Sequence, residues 1–182
     1  MKFSWSKLRV RSVWLIAIPF FWFATPTRGL LAAGAALSLA GLWLRGWAAG
    51  TIHKNDFLTT TGPYARTRNP LYLGSFLIGC GVTLAGGHWL WPLVFGVFFL
   101  VVYRRTIAKE TRYLSERFPD AYARYAAAVP IFLPRITAWR AEGAATGPSG
   151  FGWPQYRHNR EWEAALGVLA AFGLLALKIA TA

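Results

Sequence analysis

Residues 62–74 read GPYARTRNPLYLG. Two arginines, an asparagine, two prolines and two tyrosines interrupt a chain that is apolar before and after them. Irregular polar backbone is not tolerated against lipid, so such a stretch belongs at a bilayer surface or in a cavity lined by protein. Its placement therefore decides how the flanking apolar blocks are arranged. It also asks what the polar groups bind.

Working outward, the chain of 182 residues is 55% hydrophobic, 16% aromatic and only 15% charged, with a mean hydropathy of +0.34. That composition is of an integral membrane protein. The formal charge of +13 is read as loops held against anionic lipid on one side of the membrane, and nucleic-acid binding is not expected. The single cysteine, Cys80, lies inside an apolar run. No disulfide framework and no metal site are expected, and Cys80 reads as a small buried hydrophobe.

The apolar blocks are 12–24, 30–47, 71–85, 89–103 and 162–180. They predict an all-α, polytopic protein of about five transmembrane helices, namely two helical hairpins plus a C-terminal helix. A bilayer crossing takes about 20 apolar residues, so the first block is short and either leans on its partner or stays partly interfacial. With the N-terminus cytoplasmic, eighteen of the twenty Lys and Arg residues fall on the cytoplasmic side, as the positive-inside rule requires. Both long polar segments then face one surface. A site built from the two could take a soluble cofactor from the cytoplasm and a lipophilic substrate from the bilayer.

Between Arg104 and Ala128, Ile107, Leu114, Phe118, Tyr122, Tyr125 and Val129 recur at helical steps, with most charges on the remaining surface. The pattern predicts a cytoplasmic amphipathic helical segment, broken near Phe118 because Pro119 suits a first helical turn. Glu110 falls on or beside the apolar stripe, where a carboxylate needs partners. The segment 139–161 starts as a Gly- and Pro-containing linker and ends aromatic and basic. It reads either as a lid or as a plain connection. His53 lies near the 56–59 strip, His88 in an outer turn and His158 in YRHNREW, with surface or capping roles as their plain expectation.

The ordered set GPYARTRNPLYLG, a hydrophobic hairpin and then ETRYLSERFPDAYARYAAAVPIFLP resembles the isoprenylcysteine carboxyl methyltransferase and phospholipid methyltransferase superfamily of integral membrane enzymes. Members typically show G-x-Y-x-x-x-R-H-P-x-Y, a Glu-Glu pair followed by leucine, then F-G-x-x-Y-x-x-Y-x-x-x-V-P. The resemblance covers about residues 56–134. It implies a single domain over 1–182, divided into an N-terminal hairpin (1–50), a cofactor-binding core (51–135), a connector or lid (136–161) and a C-terminal span (162–182). It also implies an enzyme using S-adenosylmethionine at the cytoplasmic membrane surface. By similarity the cofactor would touch Asp56, Phe57, Leu58, Thr59, Tyr64, Asn69, Pro70, Leu71, Tyr72 and Glu110.

The residue types suit that ligand independently. Tyr64 and Tyr72 can face a sulfonium by cation–π attraction, about 0.5–2 kcal/mol. Glu110 can accept from a ribose hydroxyl or the ammonium, Arg66 or Arg68 can hold the carboxylate, and Pro63 and Pro70 stiffen the loop. Arg68, Asn69 and Arg105 are the candidates for work beside the reacting groups. Three positions depart from the family pattern. Asn69 replaces the usual histidine, Thr111 stands where a second glutamate is usual, and Thr106 occupies the place of the substrate-binding arginine of the prenylcysteine enzymes. Arg105 is adjacent but lies about 100° round the helix. The acceptor is therefore left as an isoprenylcysteine-like carboxylate, a lipid, or a small apolar acid, amine or thiol. An NADPH-dependent membrane reductase related to sterol reductases and a non-catalytic scaffold are the alternatives. The Ala-, Gly- and Arg-rich composition points to a bacterial inner membrane.

Overall fold

A computed structural model describes residues 15–53, 57–140 and 150–182. The leader lysines and arginines, Asp56 and most of the linker in the 139–161 segment lie outside these residues. The described chain is helical, with seven α-helices and no strand. A first helix, α1, runs through 15–23. It is followed by α2 (Arg28–Thr51), α3 (Pro70–Ala85), α4 (Leu90–Arg117), α5 (Pro119–Ala128), α6 (Trp153–His158) and α7 (Trp162–Thr181), with a 3-10 turn at Gly62–Ala65.

Three of these, α2, α4 and α7, are long and apolar enough to cross a membrane, whereas α3 has 16 residues and is shorter. Their outward residues, among them Leu39, Trp43, Leu93, Leu100, Leu169 and Leu177, are exposed, as lipid-facing side chains of a spanning helix must be. Local signals set the boundaries. Thr27 caps α2, its hydroxyl accepting from the Leu30 amide at 3.3 Å. Prolines open α3 and α5 at positions whose amides have no helical partner.

The fourth apolar block and the charged section that follows it belong to one helix, α4, which runs unbroken for 28 residues. The break falls at Phe118, which leaves helical geometry at φ −133°, ψ 60° just ahead of Pro119. A helix of 28 residues is about 42 Å long, against a hydrocarbon layer of about 30 Å. Counted from Leu90, a layer of that thickness is as long as α4 up to about Glu110, and the helix has two further turns.

α3 sits at the centre, packed on α2 along its length and against α4 and α7. The α2–α3 seam is made of small residues at three- and four-residue steps: Gly34, Ser38 and Gly41 on α2 meet Gly74 and Gly81 on α3. Without side chains there, the two backbones touch. A Cβ on Gly41 would lie 2.7 Å from the Gly74 carbonyl oxygen. Close approach of this kind gains dispersion contacts, which hold helices together where lipid removes any hydrophobic drive.

Two clusters of buried side chains close the ends of the bundle. Phe20, Ala24, Ala85 and Leu175 pack at one end. Leu58, Tyr122, Tyr125 and Val129 pack at the other, where the polar stretch lies.

Candidate active site

The stretch that interrupts the apolar chain is fixed from several directions. Gly62, at φ +58°, starts the 3-10 turn in a conformation that favours glycine. The next residues are laced to the strand-like run after α5. The Arg68 amide donates to the Pro130 carbonyl, the Arg135 amide to Arg66, and the Trp139 amide to Ala65, at 2.8–2.9 Å. Side chains add to this strap. Thr67 Oγ1 donates to the Phe132 carbonyl at 2.8 Å, and Asn69 Nδ2 to Ile131 at 2.8 Å. From α5, the Tyr125 hydroxyl donates to the Tyr64 carbonyl at 2.7 Å. Buried backbone needs such partners, and here side chains of α5 and the strap supply them.

On the other side of Tyr64 and Arg68 lies a cavity of about 230 Å³, walled by residues 52–53 and 57–68, α4 and α5. Phe57, Leu58, Thr59, Tyr64, Arg68 and Glu110 line it, together with Ile52, His53, Tyr113, Leu114, Phe118 and Tyr125. Glu110 is half-buried and accepts from the Tyr72 hydroxyl at 2.9 Å. Arg68 donates to the Tyr122 hydroxyl at 3.2 Å and sits over that ring, 6.0 Å from its centroid.

Two polar atoms in this wall are buried with no hydrogen-bond partner among the described residues: the Tyr64 hydroxyl and Arg68 Nε. A buried group of this kind costs about 1–3 kcal/mol unless something satisfies it. Both can donate, so what they lack is an acceptor. Burial raises the Tyr64 phenol well above its usual pKa, and Glu110 adds to the shift by repelling a phenolate. Tyr125 is raised by burial and by Tyr122, with Arg68 opposing. Both phenols are neutral around pH 7.

The sequence candidates thus divide. Phe57, Leu58, Thr59, Tyr64, Arg68 and Glu110 share one cavity. Tyr72 joins it through Glu110. Asn69, Pro70 and Leu71 stand behind the wall: Asn69 is buried and spent on the strap, Pro70 opens α3, and the Leu71 carbonyl accepts from Arg45 at 3.3 Å. Arg105 is exposed on α4 and does not line the cavity. Arg66 reaches the Ile136 carbonyl instead.

Other participants were not singled out as wall residues from the sequence. Ile52, Tyr113, Leu114 and Phe118 line the cavity; the last two were legible only as members of an apolar stripe. Arg45 makes a two-pronged ion pair with Glu161 at the start of α7 and also reaches Ser75. The 139–161 segment ends in α6, which closes the end of α2. The Gly152 amide donates to the Gly50 carbonyl at 2.8 Å, Gln155 Nε2 to Ile52 at 2.7 Å and Asn159 Nδ2 to Ala49 at 2.8 Å. These satisfy carbonyls that a helix end leaves open.

Three membrane-length helices, with a cavity lined by polar and aromatic side chains beside the longest of them, are the features of a membrane protein with a candidate small-molecule site. The chain belongs to the phospholipid methyltransferase family, whose pattern matches residues 29–121. Among curated proteins it is 34% identical over 121 residues to a cobalt-zinc-cadmium resistance protein of Cupriavidus metallidurans, covering 66% of this chain and 54% of that one. It is 33% identical over 124 residues to a nickel-cobalt-cadmium resistance protein of Alcaligenes xylosoxydans, covering 64% and 53%. To the protein-S-isoprenylcysteine O-methyltransferase of Schizosaccharomyces pombe it is 30% identical over 127 residues, covering 67% and 54%. The chain thus spans about half the length of these relatives. The resemblance to the isoprenylcysteine carboxyl and phospholipid methyltransferase superfamily is borne out by the family match and the yeast relative. No solved structure matches the chain.

Proposed function

We propose that the protein transfers a methyl group from S-adenosylmethionine to a lipophilic acceptor at the cytoplasmic face of a bacterial inner membrane. The observation that carries this reading is the pair of unsatisfied buried donors, Tyr64 hydroxyl and Arg68 Nε, in one cavity with the Glu110 carboxylate. S-adenosylmethionine carries the complementary groups: a carboxylate for Arg68, hydroxyls or an ammonium for Glu110, and a sulfonium for the aromatic faces. The cavity volume lies just under the usual range of about 300–1,000 Å³, so part of the nucleoside lies along the open mouth.

When bound, this donor supplies an activated methyl group; the chain supplies position and dryness. Arg68 and Tyr64 hold the carboxylate end, Phe57, Leu58 and Thr59 flank the nucleoside, and Tyr72 keeps Glu110 aimed into the cavity. Asn69, Pro70 and Leu71 serve by holding that wall in place. Arg105, exposed on the same helix, attracts anionic headgroups. Holding two reactants in line and excluding water is worth several kcal/mol of barrier without covalent help from the protein. The acceptor enters from the bilayer beside α4, and membrane lipids rather than nucleic acid are the surroundings. The whole chain acts as one domain.

Equilibrium binding of radiolabelled S-adenosylmethionine and of NADPH to the detergent-solubilised protein tests the reading. Saturable binding of the first alone is expected. Binding of NADPH instead would make the chain a reductase, and binding of neither would make it a scaffold.

A further inference from the structure

Helix α2 does not close its own end. The last carbonyls of any helix lack partners within it, and α6, far along the chain, answers three here: Asn159 Nδ2 at Ala49, the Gly152 amide at Gly50 and Gln155 Nε2 at Ile52. The Thr51 carbonyl has His53 Nδ1 at 3.2 Å. Rings bind the two elements as well. A Cβ on Gly50 would stand 2.2 Å from the Phe151 ring, and one on Gly46 3.5 Å from Tyr156, so bare backbone on that face of α2 lets α6 lie against it. Phe151, Trp153 and Tyr156 steady one another at 5.1–6.3 Å between centroids. The three bonds are not equivalent. Ala49 and Gly50 belong to α2, whereas Ile52 is the first residue beyond it, extended at φ −77°, ψ 129°, and it lines the cavity. Its amide still bonds back to Ala48 at 3.0 Å. Only its carbonyl side is left to be steered, and what that carbonyl meets is Gln155 at 2.7 Å.

We infer that Gln155 is a positioning residue for the cavity: by holding the Ile52 carbonyl it fixes the direction in which the chain leaves α2, and with it the seat of Ile52 and His53 in the cavity wall. The inference rests on the proposed binding of S-adenosylmethionine there. Gln155 does not itself line the cavity, so it acts through the Ile52 peptide and not by touching a ligand. A binding wall keeps its contacts only within about 0.5 Å of its proper place, and one lost bond at the turn out of a helix is enough to exceed that. α6 lies outside residues 29–121, the part of the chain that matches the family pattern, so this clasp is an addition to that pattern. Asn159 is the internal control. It gives a bond of the same kind, at 2.8 Å, to the carbonyl of a residue that α2 already fixes. Losing it loosens α6, which Gly152, Gln155 and the packed rings still hold, and leaves the wall where it was.

The test compares two variants of the full, detergent-solubilised chain. Gln155→Met keeps the length of the side chain and removes its donor; Asn159→Leu does the same at the control position. Each is expected to lower the unfolding temperature by about 2–4 °C, the effect of one neutral hydrogen bond in a chain of this size. Only Gln155→Met is expected to weaken equilibrium binding of radiolabelled S-adenosylmethionine, by about 5- to 10-fold, with Asn159→Leu within about twofold of the wild type. A milder second variant, Gln155→Asn, stays polar but is one carbon too short to reach Ile52, and it should lose affinity in the same way. Wild-type affinity in both Gln155 variants would overturn the inference, and so would an equal loss in Asn159→Leu, which marks a merely structural effect. Absence of S-adenosylmethionine binding by the wild type would instead remove the methyl-transfer reading on which the inference rests.

Discussion

Glu110 has one oxygen tied to the Tyr72 hydroxyl at 2.9 Å and faces a cavity whose other wall carries unpaired donors. Replacing it with glutamine keeps the shape and removes the charge. Glu110→Gln is therefore expected to weaken S-adenosylmethionine binding by about 1.5–3 kcal/mol, the value of a charge-assisted bond and roughly 10- to 150-fold in affinity. Titration calorimetry on the solubilised protein measures it, and an unaltered affinity would remove Glu110 from the site. Tyr125 holds the Tyr64 carbonyl at 2.7 Å, and Tyr125→Phe leaves that carbonyl without its partner. A loss of about 1–3 kcal/mol in stability is expected, read as a lower unfolding temperature. The phenols also set an alkaline limit. Unfolded, Tyr64 titrates near 10.0, while its folded value is raised by burial and then by Glu110. The folded state keeps a proton that the unfolded chain has lost, so the stability is complete below pH 10 and declines as the pH rises toward the folded value. Melting curves between pH 8 and 11, about that ordinary phenol value, should be flat and then fall, with Tyr64→Phe falling less.

Helices α2 and α3 meet through glycines whose spacing was visible, but whose purpose was not. Gly41 has only 2.7 Å between a would-be Cβ and the Gly74 carbonyl, and 2.9 Å to Ile78. Gly41→Val is expected to push the pair apart and cost about 1–3 kcal/mol, as overpacking does. Gly167 on α7 has open space around it, so Gly167→Ala should be neutral or gain up to about 1 kcal/mol in helix propensity. Thermal unfolding of the two variants gives the comparison, and equal effects would dismiss the close seam. The helix count shows a different lesson. Periodicity located the break at Phe118 because proline chemistry is local. It did not show that α4 runs on unbroken from its apolar half into its charged half, since charge appearing on one face changes solvent exposure without changing helical geometry.

Across the whole molecule, Arg45 joins α2 to α3 and to the start of α7, through Ser75, the Leu71 carbonyl and Glu161. Glu161 is only 7% exposed, so Glu161→Gln leaves a largely buried guanidinium without its counter-charge. Breaking a buried pair this way costs about 3–5 kcal/mol, and loss of a compact, monodisperse protein in detergent is the expected outcome. The proposed orientation is tested at the same scale. A cysteine placed at His88 should react with an impermeant maleimide from outside intact cells, and one at Arg140 only after lysis; the reverse would invert the topology.

Read alone, the sequence determined the helical class, the membrane setting and the break ahead of Pro119, and it named half of the residues that line the cavity. Each of these is written in a local pattern: apolar periodicity, proline position, charge distribution, or a motif of fixed spacing. Only the tertiary structure decided that Asn69 belongs to the strap, that Arg45 answers Glu161, and that His53 lines the cavity with Nδ1 beside the Thr51 carbonyl. The first two are pairings across 62 and 116 residues, and contacts that distant leave no periodic trace, because the chain between them is free to vary. The third turns on which backbone carbonyl a ring nitrogen meets, and composition holds no record of that.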